Sequence, residues 1–230
     1  MRIIPAIYLS GGNAVSNYKG ESEQSTLFTR DPLVAARKFE KQGAKLIHIV
    51  DSDPAHSAKE KNWKVVQAIA KNTSLEVIYS DGISTLEDIE ALFAVGIDYV
   101  SLNQFSHGIL KQALEKFGPE KIFFTIRTLK HVIEGMPGVD VIDFGGQLVK
   151  EGVKNIILRD MKAEGSLHPN YDEVEHLLVF TKANVFAFGG VGSMEDLEIF
   201  QRTGVSGVMI SRAFFEMKIS PQDCISKFEG

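Results

Sequence analysis

Short apolar runs alternate with longer amphipathic stretches from one end of the chain to the other. The runs Arg2–Leu9, Lys45–Asp51, Leu75–Ser80, Asp98–Asn103, Lys121–Arg127, Asn155–Asp160, Asn184–Gly190 and Gly207–Arg212 are rich in Val, Ile and Phe and end in polar residues or glycine. Strands buried on both faces of a parallel sheet read this way, as near-continuous apolar segments. Helix signals fill the gaps. Asp31 before Pro32 predicts a cap followed by a first-turn proline. Gly43, Gly96, Gly152 and Gly204 each stand between an amphipathic stretch and the next apolar run, where a glycine ends a helix. Strands and helices alternating so evenly over 230 residues predict an α/β fold, the (β/α)8 TIM barrel, rather than a doubly wound open sheet.

The pattern also repeats. The segment at Gly43, GAKLIHIVDSD, is similar to that at Gly152, GVKNIILRDMK, and the segment running through Gly82 is similar to the one running through Gly190. A single domain over 1–230 built from two half-barrels, roughly 1–115 and 116–230, is the expected organisation. On that symmetry the first strand matches the fifth, which sets Tyr8 opposite Arg127 at the carboxyl ends of their strands. In barrel enzymes catalytic groups come from those ends.

Composition narrows the function. Net charge is −5 with no block of Lys or Arg, which argues against nucleic acid and anionic membrane as partners. A single cysteine, Cys224, excludes an intramolecular disulfide and a cysteine-based zinc cluster. His107, His131, His168 and His176 lack ligand-like spacing, so neither a metal nor a cofactor is expected. His48 has the opposite strand parity to Asp51 and is expected to face the helices. With no apolar run of membrane-spanning length and no signal-like N-terminus, a cytoplasmic location is expected.

Two loops carry the clearest chemistry. Gly189, Gly190, Val191 and Gly192 form a glycine-rich loop between a strand and a helix opening near Ser193. Ser211 and Arg212 repeat that plan one strand later, at a short final helix. Glycines let backbone N–H groups approach an anion, and the end of the barrel formed by its last two strands is a common phosphate site. Tight-turn geometry alone is the competing reading of these glycines.

These residues, with Ile4–Ile7, the segment His48–Ala55 and the segment Asp81–Asp98, resemble the HisA/HisF family of histidine biosynthesis, and most closely its isomerase branch, the ProFAR isomerases. The resemblance implies a substrate with two phosphates, one for each half-barrel, and an Amadori rearrangement using two aspartates at the ends of strands one and five. Here Tyr8 and Arg127 stand at those two places. Arg159, before Asp160, replaces a family threonine; Ser16 replaces a basic residue and Met136 a loop tryptophan. Asp81 and Gly82 stand in what the resemblance gives as the first phosphate loop, and Asn103 and Gln104 replace its glycine–threonine pair, so that site reads as degenerate. A phenol and a guanidinium are poor substitutes for carboxylates as base and acid.

Two functions follow. One is an isomerase-type enzyme in which Tyr8, Asp51 or Asp160, helped by Arg127 and Arg159, moves protons. The other is a non-catalytic relative that holds a phosphorylated small molecule, or a protein partner of the kind the cyclase branch has in its glutaminase subunit. In either, Tyr8 and Arg127 have a bland alternative: they fill vacated space and pair with Asp51 or Asp160.

Overall fold

Every apolar run named above is a strand of the barrel. The computed structural model describes residues 1–18, 21–53 and 59–229. In chain order the first elements are β1 (Arg2–Ser10), β2 (Asn13–Tyr18), β3 (Glu21–Thr29), α1 (Pro32–Lys41), β4 (Leu46–Asp51), α2 (Lys59–Asn72), β5 (Glu76–Ser80), α3 (Leu86–Ala94) and β6 (Tyr99–Asn103). After a short 3-10 turn at Gln104–Ile109 come α4 (Leu110–Phe117), β7 (Ile122–Leu129), β8 (Val132–Ile133), α5 (Val141–Lys150), β9 (Asn155–Asp160) and α6 (Tyr171–Phe180). The chain closes with β10 (Asn184–Phe188), α7 (Met194–Thr203), β11 (Gly207–Ile210), α8 (Arg212–Phe215) and α9 (Pro221–Phe228).

Strands β1, β4, β5, β6, β7, β9, β10 and β11 are paired in parallel in that order. Strand β11 pairs back to β1, with Arg2 opposite Gly207 and Pro5 opposite Ile210, so the sheet closes into the expected barrel. The predicted caps form as read: the Asp31 side chain accepts from Val34 N–H at the start of α1, and Ser193 with Asp196 makes a capping box at α7. Gly43, Gly96, Gly152 and Gly204 follow α1, α3, α5 and α7 with φ between 86° and 105°, the left-handed conformation that ends a helix.

Three features differ from expectation. The segment after β1 folds into an antiparallel hairpin, β2–β3, and β8 turns back on β7. Helix α8 is not the last, since α9 follows it. The third concerns strand parity. Ile4, Ala6, Tyr8, Leu46, Val50, Ile157 and Phe188 fill the barrel interior, whereas Ile7, Leu9, Ile47, Ile49, Ile156 and Leu158 pack against the helices. His48 therefore points inward and not toward the helices: its Nε2 lies 2.7 Å from Ser80 Oγ and its ring packs edge-on to Phe188. Burial, then the charge of Arg159, pushes its pKa down to about 3, so it is a neutral core histidine.

The β7–β8 turn is strained. Lys130 and His131 sit at φ 53° and 65°, as a two-residue hairpin of the mirror-image type demands, but Lys130 is not a residue that favours it and neither matches Asn-Gly there. Replacing the pair by Asn-Gly is expected to raise stability by about 1 kcal/mol. Urea unfolding checks this, and an unchanged or lower midpoint would refute it.

Candidate functional site at the barrel mouth

The carboxyl ends of the barrel strands hold a buried chain of polar contacts. Tyr8, near the end of β1, donates its OH to Glu164 Oε1 at 2.6 Å. Arg159, on β9, donates from Nε to the same oxygen at 2.5 Å and places its other arm 2.8 Å from Asp81 Oδ2. Asp81 Oδ1 accepts from Asn103 at 2.9 Å and lies 3.6 Å from the Arg127 guanidinium. Arg127, on β7, continues to Glu134, whose Oε2 is 2.8 Å from its Nε but poorly aligned for a hydrogen bond. Tyr8 and Phe188 flank the Arg159 guanidinium, with ring centroids 5.5 and 5.6 Å away. The bland expectation is corrected in one respect: the partners of Tyr8 and Arg127 are Glu164, Asp81 and Glu134, not Asp51 or Asp160.

Charge states follow from these contacts. Burial, and then Glu164, hold the Tyr8 pKa well above the ordinary phenol value, so Tyr8 remains a neutral donor. Burial alone would lower the Arg159 pKa, but Glu164 and Asp81 outweigh it and keep the guanidinium charged. Burial would raise Asp81, yet Arg159 and then Arg127 hold it below the usual carboxylate range.

Beside this chain lies a pocket lined by Gly189, Gly190 and Val191 after β10, Ser211 and Arg212 after β11, and Tyr8, Ser16, Glu164 and Phe188. The two loops singled out in the sequence thus meet in one pocket, except that Gly192 turns away: its N–H donates to Asp196 Oδ2 at 2.8 Å in the cap of α7. Among the described residues, the N–H groups of Gly190, Val191 and Arg212 donate to no protein acceptor. Ser211 Oγ and Glu164 Oε2 are buried without a partner. The Arg212 side chain is committed elsewhere, to Gly165 O and Glu216. The glycines also have a packing reason. A Cβ on Gly190 would lie 2.6 Å from the His168 carbonyl, because the loop after β9 crosses directly over it.

The side chains of Asp81, Asn103 and Gln104, expected to mark a degenerate first phosphate site, bond within the protein itself. Asn103 Oδ1 caps the 3-10 turn by accepting from Phe105 N–H, while its amide holds Asp81. Gln104 donates to the carbonyls of Arg127 and Glu134 at 3.3 and 3.1 Å. Asp81 itself sits at φ 67° beside Gly82 at 66°.

Asp51 and Asp160 share the helix-facing parity. Asp51 accepts from Tyr79 OH and Asn62 Nδ2, both at 2.6 Å, and burial sets its pKa above the ordinary value despite those bonds. Asp160 caps its own loop, accepting from Lys162 and Ala163 N–H at 2.8 and 3.1 Å. Neither lines the pocket. Pro54 and Ala55 of the sequence motif lie outside the described residues. Glu164 is the residue that sequence reasoning missed; its place only five residues after Arg159, past Asp160, was the available clue.

Fold and pocket define a (β/α)8 barrel with a polar pocket at the loops after its last two strands. Residues 2–220 match the family model described as histidine biosynthesis protein, and the chain belongs to that family. It is 32% identical to a 1-(5-phosphoribosyl)-5-((5-phosphoribosylamino)methylideneamino) imidazole-4-carboxamide isomerase of Clostridium botulinum strain Kyoto, covering 98% of this chain and 96% of the relative. Isomerases of the same name from Syntrophomonas wolfei and Bacillus anthracis are 32% and 33% identical, over 100% and 98% of this chain and 99% and 98% of the relatives. Among the described residues no helix is long and apolar enough to cross a membrane.

Proposed function

We propose that this chain is a divergent member of the isomerase branch that binds a phosphorylated small molecule through the loops after β10 and β11, and that it does not carry out the rearrangement its relatives are named for. The observation that carries the reading is the state of Tyr8 and Arg127. At the two places that the resemblance gives to catalytic aspartates stand a phenol and a guanidinium, both held in the Glu164–Arg159–Asp81 chain. Support for the phosphate comes from three N–H groups and a hydroxyl that face the pocket without protein partners.

One phosphate is favoured over two. The Asp81 carboxylate would repel a second phosphate, although two arginines temper its charge. The stronger reason is occupancy, because the amides of Asn103 and Gln104 already serve Asp81 and two carbonyl oxygens. Calorimetry with ribose 5-phosphate and with the relatives' bisphosphorylated substrate tests this. The monophosphate is expected to bind within about tenfold of the bisphosphate, a difference of no more than about 1.4 kcal/mol. Ser211→Asp, which sets a second carboxylate beside Glu164 in the pocket, should abolish binding of both, with circular dichroism checking that the variant is folded. A bisphosphate preference of several hundredfold, with both phosphates ordered in a crystal, would sink the one-phosphate reading.

A further inference from the structure

We propose that Arg127 is the anchor of a carboxylate subsite at the barrel mouth, so that the ligand is a phosphate ester that also carries a carboxylate. This rests on the phosphate reading above and adds a second point of recognition to it.

The argument starts from unequal use of two guanidiniums. Arg159 is 4% exposed at its side chain and donates aligned hydrogen bonds to Glu164 and Asp81. Arg127 is 19% exposed, and its guanidinium makes no aligned hydrogen bond among the described residues. It lies 3.6 Å from Asp81 Oδ1, an oxygen that already accepts from Asn103, and 2.8 Å from Glu134 Oε2 at an unfavourable angle. Both Arg127 Nε and Glu134 Oε2 are buried without a hydrogen-bond partner. A guanidinium presents a planar fork that matches a carboxylate in two parallel bonds, and a fork left unmatched in a half-buried place is a receptor. Its Cζ lies 5.7 Å from the centroid of the Phe105 ring, within cation–π range.

Glu134 behaves as an internal stand-in. The β7–β8 turn brings its backbone N–H to Arg127 O at 2.9 Å, which lays the side chain over the guanidinium by chain geometry rather than by a good bond. That side chain is 37% exposed and has solvent to swing into. A ligand carboxylate that displaces it satisfies donors that Glu134 leaves open.

The register supplies a ruler. Arg127 is opposite Arg159, and Arg159 opposite Phe188, so Arg127 and the start of the phosphate loop lie in one layer two strand spacings apart. Adjacent strands are about 4.8 Å apart, which separates the two anchors by roughly 10 Å. An open-chain sugar-acid phosphate spans that distance; a phosphorylated glycerate does not.

Calorimetry with 6-phosphogluconate and glucitol 6-phosphate, which differ only in carboxylate against hydroxymethyl, tests the proposal. The parent protein should prefer the acid by about tenfold or more. Arg127→Gln should erase the preference without weakening glucitol 6-phosphate, and Glu134→Gln should enlarge it. Equal binding of the two esters by the parent, or an equal loss of both in Arg127→Gln, would overturn the subsite. Gluconate and glucitol separate this from the phosphate reading. If the esters bind no better than these parents, the phosphate reading fails, and only an Arg127-dependent preference for gluconate would then leave the subsite standing.

Discussion

Turnover of the relatives' isomerase substrate is expected to fall on the order of ten-thousandfold below that of the Clostridium botulinum relative, since general acid and base groups each contribute a hundredfold or more. A base at the end of β1 must accept a proton near neutral pH, but burial and Glu164 keep the Tyr8 phenol protonated far above that range. An acid or base at the end of β7 must exchange one, and the guanidinium of Arg127 does not. Purified protein assayed beside the relative, at matched concentration, checks the claim. Activity within tenfold of the control would refute it and with it the non-catalytic reading. Tyr8→Asp with Arg127→Asp is not expected to restore the reaction. The second change would place a carboxylate beside Asp81 and Glu134 and remove one of the two cations that neutralise Asp81.

The barrel was legible because its signals are local. A strand buried on both faces is a run of apolar residues, and a helix stop is one glycine, so each could be read without knowing its neighbours. The β2–β3 hairpin was not, because its strands are mostly polar in sequence and their few apolar residues, Ala14, Val15 and Phe28 among them, show a packing role only once the chain is folded. The orientation of His48 escapes the sequence for a related reason. Parity counted from Asp51 points His48 outward only if Asp51 faces the mouth, yet at the very end of β4 a helix-facing residue meets Asn62 of α2 and Tyr79 instead. Glu164 was invisible since its role arises only when the loop after β9 folds across the pocket. Tyr8 and Arg127 could be singled out one residue at a time; that they belong to one continuous polar chain was a property of the layer formed by β1, β7 and β9.

That chain should dominate stability at the mouth. Asp81→Asn keeps the shape and tolerates the left-handed backbone at φ 67°, so its effect reports charge rather than strain. It leaves Arg159, 3% exposed, with one carboxylate in place of two, and Arg127 with only the misaligned Glu134. Breaking a buried ion pair from one side typically costs about 3–5 kcal/mol, because the remaining charge stays out of water without compensation. The loss should depend on pH in a definite direction. The folded-state pKa of Asp81 is lowered by its arginines, so its stabilisation is complete above the ordinary carboxylate range and disappears as pH falls through the folded-state value. Urea unfolding of the parent and Asp81→Asn should therefore differ most near neutral pH and converge as acid protonates Asp81. A difference that holds constant from neutral to strongly acidic pH would mean that the residue acts through packing or backbone shape, and that Arg159 draws its compensation from Glu164 alone.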